Sequence, residues 1–135
     1  MKKICLILSI ILLSSLSAFA INQTKEKKYS DALLIRLQVC LILNETTTDK
    51  DTQTTITRNI SGPENKTTLC RYKETITDKD KNKTEYNCKF TIDQKNALIK
   101  AMKADPYGES IAPAEWSKYF NNANVCTKTQ TDKKD

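Results

Sequence analysis

Read for the spacing of its apolar positions, the chain opens on an apolar run, Ile4 to Leu13, interrupted only by Ser9, behind Met1-Lys2-Lys3. Ser14-Ser15-Leu16-Ser17 and the small-x-small ending Ala18-Phe19-Ala20 follow. A positive start, a short greasy stretch and a small-residue cleavage site are the three parts of a secretory signal peptide. The run is too short to span a bilayer, and no stop-transfer pattern follows it. A cut after Ala20 is expected, with residues 21–29 a polar lead-in and residues 30–126 one domain.

The next apolar segment, Ala32 to Leu43, is predicted as a helix. Ser30 stands as its N-cap and Asp31 sits favourably in its first turn. Leu33, Leu37, Cys40 and Leu41 share one face, yet Leu34, Ile35, Val39 and Ile42 make the rest apolar as well. Such a helix is buried on two sides or pressed against a partner; a buried strand is the competing reading. Asn44 to Gln53 is polar and threonine-rich, and reads as a loop.

Three strand patterns then follow, Thr54–Ile60, Thr67–Thr77 and Lys83–Ile92, divided by turn chemistry at Ser61-Gly62-Pro63-Glu64-Asn65 and at Asp78–Asn82. The third alternates most cleanly, with Tyr86, Cys88, Phe90 and Ile92 against Glu85, Asn87, Lys89 and Thr91. The second answers with Cys70, Tyr72 and Ile76, and Glu74 shares their inward parity. Asp93 caps a second helix from Gln94 to Ala104, ended by Asp105-Pro106. Pro113 opens a last short helix that lines up Trp116, Tyr119 and Phe120. Residues 127–135 read as a disordered tail. The expected fold is α+β: a helix, a three-stranded antiparallel meander, then one longer and one short helix packed on one sheet face.

The cysteines add two staples. A cleaved leader removes Cys5 and leaves Cys40, Cys70, Cys88 and Cys126, an even number in a compartment where disulfides persist. Their spacings lack the close pairs of a zinc site. If the 78–82 turn centres on Lys79, Cys70 and Cys88 lie directly opposite each other, and Cys40 is left for Cys126. The rival pairing sends Cys40 to Cys70 or Cys88 and leaves Cys126 for the other.

Charge and composition mainly exclude. Loss of Lys2 and Lys3 lowers the net charge from +6 to +4, with acids and bases interleaved, so neither a nucleic acid nor an anionic membrane is expected as partner. The chain has no histidine, which removes every Ser–His or Cys–His nucleophile and every imidazole metal site. Two glycines cannot build a phosphate-cradling loop. Asp78-Lys79-Asp80-Lys81-Asn82 lacks the glycine and distal glutamate of a calcium loop. Carboxylates are what remain for catalysis, with Glu74, Glu85 and Glu115 nearest to ordered elements.

The expectation is therefore a periplasmic or secreted protein without catalytic residues, metal or cofactor. It binds a protein partner, as an inhibitor, immunity-type factor or envelope accessory does. Trp116, Tyr119, Phe120, Leu34 and Leu41 are its candidate interface residues, and Ala32–Leu43 offers a face to a second copy. The alternative is a His-independent cell-wall hydrolase or toxin working through carboxylates, for which two such groups must share an open cleft.

Overall fold

The computed structural model describes residues 27–65, 67–107 and 114–132, without the side chains of residues 114–116. The expected signal peptide and residues 21–26 of the lead-in lie outside the described residues.

Helix α1 (Asp31–Val39) starts as its cap dictates, the Ser30 hydroxyl accepting from the Leu33 N–H at 2.9 Å. It stops four residues short of Leu43 because Cys40 takes the left-handed conformation, φ 52°. The Cys40 and Leu41 N–H groups then donate back to the Leu37 and Arg36 carbonyls, closing a Schellman motif. The chain reverses there, and Leu43 opens a strand instead of ending a helix.

That strand corrects the expected sheet. Among the described residues there are five strands, β1 (Leu43–Asp49), β2 (Thr54–Pro63), β3 (Cys70–Thr77), β4 (Lys83–Phe90) and β5 (Cys126–Thr131), in the order β1-β2-β3-β4-β5 with every neighbour antiparallel. The three-stranded meander is its middle. The segment expected as a loop is β1 and its turn, and the expected tail is β5 as far as Thr131. Between β4 and β5 run α2 (Ile92–Ala104) and α3 (Ala114–Phe120). Thr91, not Asp93, caps α2 through a capping box with Gln94, which moves Ile92 out of the strand and into the helix.

The register follows from two turns. Asp78 accepts from both the backbone and the side-chain amide of Asn82, and Lys81 takes φ 71°. The loop therefore spans 78–82 and centres on Asp80, one residue beyond Lys79. Cys70 then faces Phe90, and Cys88 faces Tyr72. In β2 the ladder slips between Ile60 and Gly62, where φ is +84°, a bulge that needs glycine for its backbone angle.

The displaced register overturns the preferred disulfides. The bridges are Cys40–Cys70, from the end of α1 to the start of β3, and Cys88–Cys126, between directly opposite residues of β4 and β5. A cross-strand bridge does form, but to a strand that the hydropathy pattern hides.

The three helices of the described residues cover one sheet face. Leu33 and Leu37 of α1, Leu98, Ile99 and Met102 of α2 and Phe120 of α3 meet Ile60, Tyr72, Phe90 and both disulfides in one buried cluster. Each large apolar side chain so buried contributes about 1.5–3 kcal/mol. The other face is polar: Thr46, Thr57, Thr75, Glu85 and Thr129 form one row across it, flanked by Asn44, Asn59, Lys73, Asn87 and Thr127.

Candidate functional site

Three constellations come out of this scaffold. The first is a row of charges on the covered face. Glu45 of β1 lies opposite Arg58 of β2, which lies opposite Glu74 of β3, so antiparallel register alone sets an acid, a base and an acid side by side. The Arg58 Nε donates to Glu74 at 3.1 Å and its terminal nitrogen to Glu45 at 3.4 Å, with the guanidinium only 1% exposed. Tyr72 donates to the same Glu74 oxygen at 2.7 Å, and the Ser30 hydroxyl donates to Glu45. Arg58 also lies over the Tyr29 ring, 5.2 Å from its centroid.

The electrostatics of this cluster favour its present protonation. Burial alone disfavours the Arg58 charge, but Tyr72, Glu74 and Glu45 more than offset that, and its pKa is raised. Burial, reinforced by the Glu74 charge, pushes the Tyr29 phenol up to about 12 and Tyr72 well above its ordinary range. The arrangement clamps α1 and the lead-in onto β1–β3. Glu74 spends one oxygen on both Arg58 and Tyr72 and is itself buried.

The other acids do not join it. Glu85 stands opposite Thr75, on the polar face, where Lys73 at 2.8 Å and Asn87 hold its carboxyl below the usual range. Glu74 and Glu85 are thus on opposite sides of the sheet, and the Glu115 side chain lies outside the described residues. A shallow groove of about 340 Å³ between α1 and α2 is lined by Gln38, Asn96, Ile99, Lys100 and Lys103, with no carboxylate among them. No group of three or more His, Cys, Asp or Glu suited to a metal occurs among the described residues.

The second constellation is aromatic. Phe120 is buried, edge-on to Tyr86 at 5.1 Å and Tyr72 at 6.2 Å, while half-buried Tyr119 stacks edge-on to Phe90. These rings complete the core rather than an outer face. The Trp116 side chain lies outside the described residues.

The third is an apolar corner. Val39, Leu41 and Ile42 follow one another around the bend from α1 into β1 with 58%, 51% and 74% of their surface exposed, and Ile35 on α1 is 64% exposed. The bend is rigid, held by the Schellman hydrogen bonds and by Cys40–Cys70. Of the sequence-predicted interface residues, Leu41 lies in this corner and Leu34 packs half-buried against the core. Ile42 and Val39, named only as part of the apolar segment, expose more than either. Sequence periodicity missed them because it extends the helix through Leu43.

Comparison of the chain with protein-family models, with curated proteins and with solved structures finds no match in any of the three. Among the described residues no helix is long and apolar enough to cross a membrane.

Proposed function

We propose that this is an exported, disulfide-stapled protein, periplasmic or secreted, that acts without catalysis by binding a protein partner through the corner formed by Ile35, Val39, Leu41 and Ile42. The observation that carries the reading is the exposure of these side chains on a bend held rigid by a disulfide. Apolar groups fixed in place lose little entropy on docking, and large exposed aliphatic groups on a small domain mark interaction surfaces. The leader pattern and the two disulfides support the compartment. Glu74 bound to Arg58 and Tyr72, with Glu85 on the far sheet face, supports binding over carboxylate chemistry.

The test is co-purification. Tagged protein expressed in its own cells, and recovered from the envelope and medium starting at Ile21, is expected to retain a protein in fixed stoichiometry. Val39→Asp with Ile42→Asp is expected to lose it while melting as the parent does. Retention of the same partner by the double variant, or recovery of protein still carrying Met1, overturns the proposal.

A further inference from the structure

We infer that copies of this chain add to one another head to tail, the β5 edge of one extending the sheet beside the β1 edge of the next. This goes beyond the binding corner and uses different residues. Among the described residues, neither outer edge of the sheet is paired: β1 and β5 each present one row of backbone N–H and C=O groups to no strand. Natural sheets blunt such edges with proline, bulges or lysine. β1 has no proline, bulge or lysine, and its inward charge, Glu45, is held by Arg58 and Ser30, while β5 carries one lysine, Lys128, laid over Tyr86. The Thr46-Thr47-Thr48 centre of β1 is rich in β-branched residues suited to pairing. The chemistry that satisfies a bare edge is another strand.

The charges choose which strand. β1 carries Glu45 and Asp49 and no base; β5 carries Lys128 and no acid. A β1–β1 pair brings four acids together and a β5–β5 pair opposes two lysines, whereas β5 against β1 is complementary. Register sharpens the match. Glu45, Arg58, Glu74, Tyr86 and Lys128 are successive partners across the five strands, so they form one row on one face. Within that row Arg58 serves two carboxylates. A copy displaced along the sheet by its own width sets Lys128 beside the next Glu45, so opposite charges meet across the junction. On the polar face the same displacement brings Thr129 beside Thr46 and Thr131 beside Thr48, extending the threonine rows. Five alternating strands leave β1 and β5 running the same way, so the junction is parallel. Each copy keeps one free edge of each kind, and the assembly is open-ended.

The experiment uses the full mature protein with both disulfides formed. In sedimentation velocity at low salt, the parent is expected to give a ladder of oligomers that lengthens with concentration and shortens with added salt. Lys128→Glu disables only the β5 edge and Thr46→Lys only the β1 edge, so each alone is expected to be monomeric. Mixed, they retain one working edge each and are expected to stop at a 1:1 dimer, which no two-fold arrangement produces. Thr48→Lys replaces Thr46→Lys if the latter does not melt as the parent does. A parent that stays monomeric at every concentration overturns the inference, as does self-association that survives both variants. Association abolished by Val39→Asp with Ile42→Asp but untouched by the edge variants overturns it too, while leaving the binding corner standing.

Discussion

Arg58 ties β1, β2, β3 and the segment before α1 together. It sits directly between Glu45 and Glu74, almost wholly buried, and its guanidinium also covers Tyr29. Its replacement by leucine fills the space but strands two carboxylates in a covered site, and an uncompensated buried charge costs about 3–5 kcal/mol. Arg58→Leu is therefore expected to lower the free energy of unfolding by that amount, read as a lower urea midpoint, and Glu45→Gln with Glu74→Gln in the same chain to recover part of it. The neighbouring tyrosines set a limit at the alkaline end. Tyr29 and Tyr72 keep their protons in the folded state beyond pH 10, where an unfolded chain loses them. Their contribution is complete below pH 10 and is lost as the pH climbs through the raised values, at about 1.4 kcal/mol per pH unit for each tyrosine that differs between the two states. Urea melts at pH 9 and pH 11 are expected to show a lower midpoint at pH 11, and Tyr29→Phe to flatten that dependence. An unchanged slope in Tyr29→Phe contradicts the assignment.

At the scale of elements, hydropathy alternation found the strands whose inward positions are apolar and missed those whose inward positions are not. β3 and β4 present Cys70, Tyr72, Cys88 and Phe90 to the core, and the pattern announces them. β1 turns Glu45 inward, made tolerable by the Ser30 hydroxyl and by an arginine 13 residues away, neither of which a local window connects to it. β5 turns Lys128 inward at the rim of the sheet, over Tyr86. What β1 and β5 do display is threonine, three in succession in β1 and at every second position in β5, a β-propensity signal that outweighs their polarity once the strands lie at the edges. The helices were legible from their spacing, and their ends were not. Ser30 fixes the start of α1 as read, while the stop at Cys40 depends on a left-handed residue that is not glycine, a choice tied to the disulfide partner. The same limit hid the exposed apolar corner, because a continuous helix through Leu43 hides Val39, Leu41 and Ile42 from view as a rigid bend. The one-residue shift of the 78–82 turn, set by a pair of Asp78–Asn82 hydrogen bonds, removed the Cys70–Cys88 opposition, and the unexpected β5 supplied Cys88 with its partner.

At the scale of the whole molecule, the two bridges divide the chain into successive loops, 40–70 and 88–126, that neither nest nor cross. Peptide mapping without reduction is expected to give a Cys40–Cys70 and a Cys88–Cys126 linked pair, and reduction to remove about 2–4 kcal/mol of stability for each bridge. The order of those loops has a consequence for biogenesis. On the proposed export route, a chain threaded N-terminus first into an oxidising compartment presents Cys40 and then Cys70 before Cys88 has emerged, and Cys88 then waits only for Cys126. Each thiol meets its native partner as the next one to arrive, so oxidation during translocation reaches the native set without reshuffling. Depleting the thiol oxidase of the host is expected to abolish accumulation, whereas depleting its disulfide isomerase leaves the yield unchanged.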